Sequence, residues 1–360
     1  MKRIYVKVWL DRNFGDDLML LLLAKETAGI CSVYVHCPPE FSDHYRELLL
    51  PNNHMHLTDR TLREVYKFGR SYFTCVVLLG GSTLQGRRLK GCWYRLLNIF
   101  HLKMLKRQGT DYLIIGCNTG PFVSRLTSFF VKQEIRCAKM ITTRDASSAA
   151  YIYDCISGKK DKVLLYPDML LGILDYVDIF PAKETSPCLG ISAFYAMSED
   201  EIDFIAGVCD LYISETGGKV ILLSLDLGLN NDNVAAKKLR SKIDNFSKVK
   251  IVDYSVQYDV FLSAFASCER IIAVRFHSAI LAVAFDIPFL PICYSNKMEN
   301  FLQDIGHHDY ICRLNDLPGL DKREFFTKLM VRPIYPQQKW KKNAKGHLNC
   351  LKKFVTEKGD

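Results

Sequence analysis

Short apolar runs that read as buried strands alternate with helical stretches along almost the whole chain, and this rhythm constrains the fold more than any other feature of the sequence. In the first half the runs are Ile4–Leu10, Ser32–Cys37, Cys75–Leu79, Tyr112–Gly116, Met140–Thr143 and Val163–Tyr166. Many are continuous in valine, leucine and isoleucine rather than alternating, as expected when helices cover both faces of a parallel sheet. The rhythm lapses between Leu170 and Thr185, near Pro181 and Pro187, and then restarts. Strands are expected at Cys188–Ser192, Val220–Leu225, Val249–Val252, Ile271–Val274, Phe289–Cys293 and Tyr310–Arg313. Ser198-Glu199-Asp200-Glu201 forms a capping box that opens a helix to Ser214. The chain of 360 residues is long enough for two cores. The expectation is an α/β protein of two doubly wound, Rossmann-like domains facing a cleft. They span residues 1–180 and 187–321, followed by a basic helical tail, 322–360, with a break at Pro333 and Pro336.

Composition narrows the function classes. No apolar run reaches bilayer-spanning length, and MKRIYVKVWL alternates apolar residues with lysine, so it reads as a first strand rather than a leader. Thirteen cysteines without a C-x-x-C pair fit reduced thiols in the cytoplasm. His54-Met55-His56 and His307-His308 lack cysteine or carboxylate partners at ligand spacing, so no metal site is expected. The formal charge of +9 gathers toward Lys339, Lys341, Lys342, Lys345, Lys352 and Lys353. Such a tail suits an anionic partner, including the inner face of a membrane. Nucleic acid is not expected, because no recognition motif accompanies the charge.

The residues able to do chemistry sit where strands end. Asn13-Phe14-Gly15-Asp16-Asp17 follows the first strand and opens an apolar helix. A turn and an N-cap account for Gly15 and one aspartate, leaving Asn13 and the second carboxylate without a structural duty. Gly80-Gly81-Ser82-Thr83, Gly116-Cys117-Asn118-Thr119-Gly120-Pro121 and Arg144-Asp145 end further strands. Paired glycines let backbone N–H groups approach a ligand, and hydroxyls and amides can bond to phosphate or sugar. In the second half, Arg275-Phe276-His277 joins a buried strand to an apolar helix, and Tyr294-Ser295-Asn296-Lys297 ends the next strand. An arginine fork, a lysine point charge and a titratable histidine would receive a small substrate carrying phosphate and carboxylate. Polar residues that only solvate a chain reversal explain the same trio.

Together these segments resemble the polysaccharide pyruvyltransferase family. The ordered set is N-x-G-D at Asn13–Asp16, V-V-L-L-G-G-S-T at 76–83 and G-x-N-x-G-P at 116–121. It continues with R-D at 144–145, Pro167-Asp168, R-F-H at 275–277 and Y-x-x-K at 294–297. Two departures fall near the glycine pair: Ser82 where the family often has a third glycine, and Gln85-Gly86 where an acidic residue is common. The resemblance implies a fold similar to the glycosyltransferase-B architecture and phosphoenolpyruvate as co-substrate, with no other cofactor. It implies transfer of pyruvate as a ketal onto two hydroxyls of a saccharide acceptor, free or lipid-linked. In that chemistry His277 suits the acid that protonates the enol methylene, and Asp16 suits the base for the sugar hydroxyl. Arg275 and Lys297 suit the donor's anionic groups, with Tyr294 beside them. Asn13, Gly15, Gly80, Gly81, Ser82, Asn118 and Arg144 suit substrate contacts. Two other readings stand: a glycosyltransferase with a nucleotide-sugar donor, for which Glu299 would hold the ribose, and a catalytically silent glycan-binding relative.

Overall fold

The computed structural model describes residues 2–68, 72–81, 83–86, 90–156, 160–179, 186–307, 312–331 and 337–357. Expectations for Ser82, Pro181, Tyr310, Pro333 and Pro336 lie outside the described residues. The chain divides into two compact units. One comprises Met1–Leu10, Asp16–Met169 and Lys342–Asp360, the other Asp11–Gly15 and Leu170–Lys341. This division differs from the expected boundaries: it falls after Met169, the tail is shared between the units, and five residues near the start belong to the second unit.

The first unit holds β1 (Lys2–Lys7), β2 (Cys31–His36), β3 (Met55–Thr58), β4 (Cys75–Leu79), β5 (Leu84–Gly86), β6 (Asp111–Cys117), β7 (Thr119–Phe122), β8 (Met140–Thr143) and β9 (Val163–Leu165). Seven of them form a parallel sheet in the order β3-β2-β1-β4-β6-β8-β9, while β5 and β7 pair separately. Helices α1 (Phe14–Thr27), α2 (Ser42–Leu49), α3 (Leu62–Lys67), α4 (Lys90–Arg107), α5 (Arg125–Cys137) and α6 (Ala146–Ile156) follow in turn. All five residues of β4 are buried, which is why its sequence, CVVLL, is apolar throughout.

The second unit repeats the plan. Its strands are β10 (Cys188–Ser192), β11 (Lys219–Ser224), β12 (Val249–Asp253), β13 (Arg270–Ala273), β14 (Phe289–Cys293) and β15 (Cys312–Arg313), parallel in the order β12-β11-β10-β13-β14-β15. Between and after them run α7 (Glu199–Thr216), α8 (Asp232–Lys242), α9 (Tyr258–Ala266), α10 (Phe276–Ala284), α11 (Asn296–Asp304) and α12 (Lys322–Met330), and the division at Lys342 falls within α13 (Gln337–Asn343). Ser198 caps α7 through the expected box, its hydroxyl accepting from the Glu201 N–H while the Glu201 carboxylate accepts from the Ser198 N–H. In each sheet the strand order reverses once, between β1 and β4 and between β10 and β13. Doubly wound folds bind ligands beyond the carboxyl ends of the strands at such a reversal.

The last helix, α14 (Gly346–Glu357), belongs to the first unit. It buries Leu348, Leu351 and Val355, and Lys2 donates to the carbonyls of Val355 and Thr356 near its end. Gly346 lies so close to Tyr166 that a Cβ there would stand 2.2 Å from the ring. Beside it His347, fully buried, joins β8 to the loop that follows β9. Its Nε2 is 2.9 Å from the Pro167 carbonyl and its Nδ1 is 2.8 Å from Thr142 Oγ1, which accepts the Gly116 N–H. Only one assignment satisfies every group: Nε2 carries the proton and Thr142 donates to Nδ1.

Burial lowers the His347 pKa to about 4, the Arg144 charge helping and Asp168 opposing. In the unfolded chain the group titrates near 6.5, so below that pH the unfolded state takes up more protons. His347 therefore contributes stability that is complete above pH 6.5 and is lost as pH falls toward 4, about 3 kcal/mol in all. Chemical denaturation across this range is expected to show that loss, while His347→Gln should be less stable at neutral pH and lack this component of the decline. Parallel curves for the two proteins would exclude it.

Candidate active site

In the second unit the site begins with a glycine. Asp11–Gly15 is held by Phe14, whose N–H donates to the Leu225 carbonyl at 2.8 Å and whose ring packs on Tyr254 and Phe261. Gly15 then lies flat against the imidazole of His277, where a Cβ would stand 1.8 Å from Nδ1. No side chain larger than hydrogen fits there. Two motifs 262 positions apart in the sequence thus interlock inside one unit, and the glycine of N-x-G-D seats the histidine of R-F-H.

Asn13 works on a different partner. Its side-chain N–H donates to Asp226 at 3.0 Å, and its carbonyl oxygen accepts the Gly15 N–H at 3.2 Å. Asp226 stands 3.5 Å from Arg275 Nη2 and shares that guanidinium with Asp232, which takes a two-pronged bond from Nε, at 2.8 Å, and Nη2. Burial raises the Asp232 carboxyl to about 6 against the pull of Arg275, with Asp226 adding to the rise. Burial also works against the Arg275 charge, but Asp232 overcomes it and holds the guanidinium ionised. Breaking such a pair from one side costs on the order of 3–5 kcal/mol, because a buried charge is left alone. The fork expected to grip an anion is therefore turned largely toward the protein's own carboxylates.

The reversal between β10 and β13 is fastened by buried Ser192. Its hydroxyl accepts the N–H groups of Val274 and Arg275 at 2.8 and 3.0 Å and lies 2.7 Å from Ser278 Oγ. After β10, Phe194 stacks on Tyr294 at 4.2 Å, with the Arg275 guanidinium 5.0 Å from its ring centre. Lys297, in the first turn of α11, stands 4.2 Å over the Phe276 ring. Because β13 and β14 are neighbours, α10 and α11 begin at one edge of the sheet. Their first turns bring His277, Lys297 and the positive ends of two helix dipoles to that edge, an arrangement that favours anions.

The first unit gathers the remaining motifs at its own sheet edge. Gly80 and Gly81 have φ of 55° and 67°, conformations that L side chains rarely adopt. A Cβ on Gly81 would stand 3.3 Å from Asp16 Oδ1, so Asp16 lies beside the glycine turn. Asp17 is engaged elsewhere, accepting from Tyr45 at 2.9 Å and lying 3.0 Å from His44 Nε2. Arg144 pairs with Asp168 at 2.7 Å and donates to Asn118 at 3.2 Å, all three buried. Arg144 and Asn118, both expected to contact substrate, also brace the loops. The residues near Gln85 that depart from the family pattern form β5, whose pairing with β7 ties them to the Asn118 loop.

Sequence reasoning missed Ser192, Phe194, Asp226, Asp232 and His347. Asp232 had a weak signal, since Asn231-Asp232 is a typical helix start; nothing local marks the others. Among the described residues, no group of histidine, cysteine and carboxylate side chains could hold a metal ion.

Two doubly wound parallel sheets, each with polar loops at its reversal, place the protein in the glycosyltransferase-B-like class. Solved structures agree. UDP-GlcNAc 2-epimerase from Methanocaldococcus jannaschii has a TM-score of 0.64 at 12% identity, covering 98% of this chain and 99% of the other. The enzyme from Neisseria meningitidis bound to UDP-GlcNAc gives 0.63 at 12%, with 98% and 100% covered. Anabaena HepE in complex with UDP gives 0.57 at 10%, with 99% of each chain covered. Identities this low speak for the fold alone. No curated protein matches the chain in sequence. The family model for polysaccharide pyruvyl transferase matches residues 13–296, and the chain belongs to that family.

Replacing Gly15 by alanine is expected to destabilise the protein by about 1–3 kcal/mol through overpacking against His277. In Gly15→Ala/His277→Ala most of that loss should be recovered, because the ring is gone. Denaturant titration of the four proteins measures the coupling; additive losses would separate the two residues.

Proposed function

We propose that the protein transfers pyruvate from phosphoenolpyruvate onto two hydroxyls of one sugar, forming a ketal and releasing phosphate. The observation that carries this reading is the seating of His277 against Gly15, in a chain of the polysaccharide pyruvyl transferase family. His277 gives a proton to the methylene carbon of the donor, which becomes a methyl group and leaves the central carbon electrophilic. A sugar hydroxyl adds to that carbon, with Asp16, the residue after Gly15, taking its proton. The bond from carbon to phosphate oxygen then breaks, and the second hydroxyl closes the ketal. Of the two hydroxyl protons, one is balanced by the proton now on the methyl and the other leaves with phosphate.

Lys297 and the first turns of α10 and α11 hold the donor's carboxylate and phosphate. Arg275, fastened by Asp232, fixes the start of α10 and with it the aim of His277. Tyr294, 38% exposed and stacked on Phe194, supplies a flat apolar wall. Glu299, the ribose ligand of the nucleotide-sugar reading, accepts from Arg313 at 3.0 Å.

Incubation with phosphoenolpyruvate and a panel of glycans should release phosphate only where an acceptor gains the mass of a pyruvate ketal. Wild-type turnover should fall at least a hundredfold in His277→Ala with donor binding largely kept, whereas Lys297→Ala should weaken donor binding. Binding and turnover of a nucleotide-sugar, without any response to phosphoenolpyruvate, would overturn the reading.

A further inference from the structure

Helix α4 has an unusual sequence for a surface element, KGCWYRLLNIFHLKMLKR. Its inward side is ordinary: Cys92, Asn98, Ile99, Leu102 and Leu105 are buried. Its outward side is not. Trp93, Leu97 and Phe100, at i, i+4 and i+7, are 69%, 41% and 58% exposed. Helix α5 packs beside α4, joined to it by the Arg95–Glu134 ion pair, and exposes Leu126 and Phe129 by 51% and 52%. Single exposed apolar residues need no explanation, but two adjacent helices each presenting several large ones do.

Charge says what covers this face. Helix α4 contains no carboxylate, and the one in α5, Glu134, is buried against Arg95. Lys103, Lys106 and Arg107 are exposed at the end of α4, as are Arg125 and Arg136 on α5. A second copy meeting this face about a twofold axis would set these cations against their own kind. A bilayer carrying anionic headgroups answers both halves, taking the apolar side chains below the headgroup level and the cations among the phosphates. Among the described residues no helix is long and apolar enough to cross a membrane, so contact would be in the plane. The basic C-terminal helix is a poorer candidate: it turns Leu348, Leu351 and Val355 inward, and Lys352 lies 3.5 Å from Glu26.

We propose that the outer face of α4 and α5 docks on an anionic lipid surface. It stands whatever the reaction, though its placement has a use. Arg95 in α4 donates to the carbonyls of Thr83 and Gln85 at 2.6 and 2.7 Å, fastening this helix to the segment that follows the Gly80–Gly81 turn. A lipid-linked sugar would then be presented from the side on which the first unit's loops open.

Co-sedimentation of the full chain with vesicles tests this, comparing pure phosphatidylcholine with a mixture containing phosphatidylglycerol. Wild type should bind the mixed vesicles, far less the neutral ones, and release as salt is raised. Leu97→Glu/Phe100→Glu/Phe129→Glu should lose at least tenfold in affinity, Lys103→Gln/Lys106→Gln/Arg107→Gln should weaken it, and Lys352→Gln/Lys353→Gln should leave it nearly unchanged. Because every substituted side chain is exposed, circular dichroism should stay as in wild type. No association of folded wild type with either vesicle, or undiminished binding by the glutamate variant, would overturn the proposal. So would a wild-type dimer, seen by light scattering, that the glutamates dissolve without changing vesicle binding; the face would then be an interface between copies.

Discussion

The contact on which the second unit's site depends is a missing side chain. Gly15 presents bare backbone to His277, and the imidazole fills the space that any Cβ would take. The approach fixes the ring's position from the chain's first βα turn, while Ser192 and the Arg275–Asp232 pair fix the start of α10 from below. In the acid role proposed for it, a histidine aimed by packing and by its own helix would lose little freedom, which is where much of the advantage of a positioned acid lies. The same economy explains why Asn13 is present: it holds Asp226 and steadies Gly15 with one amide.

Buried charge in this protein is spent on loops more than on ligands. Arg144 meets Asp168 in the first unit, and Arg275 meets Asp232 and Asp226 in the second. Each arginine stands just after a strand, where the chain must turn without a regular hydrogen-bond ladder, and each pair fastens that turn to a loop distant in sequence. Pairs of this kind add little net stability once desolvation is counted, but removing one member is expensive. Their effect is to specify one loop geometry. Lys297, half-buried over an aromatic ring, is a cation of a different sort and better suited to meet a substrate.

How much of this was legible in the sequence follows from the range of each interaction. Strands β8, β10 and β14 stand where their apolar runs put them, because burial on both faces writes itself into consecutive residues. β3, Met55–Thr58, escaped because a short edge strand with a histidine and mostly half-buried side chains lacks that signature. The motif residues were visible as polar punctuation at strand ends. Their duties were not, since an arginine that binds an anion and one that meets Asp232 look alike until a residue 43 positions away is placed. The segment Asp11–Gly15 joining the second unit, and His347 closing the first, are long-range facts with no local mark.

Solvent deuterium measures the proposed chemistry most directly. With phosphoenolpyruvate and a productive acceptor in heavy water, protonation of the methylene carbon should leave one deuterium in the methyl group of every ketal formed, read by mass spectrometry. A pyruvylated product whose methyl carries no deuterium, or transfer of a glycosyl group with phosphoenolpyruvate untouched, would contradict His277 as the acid of a pyruvyl transfer.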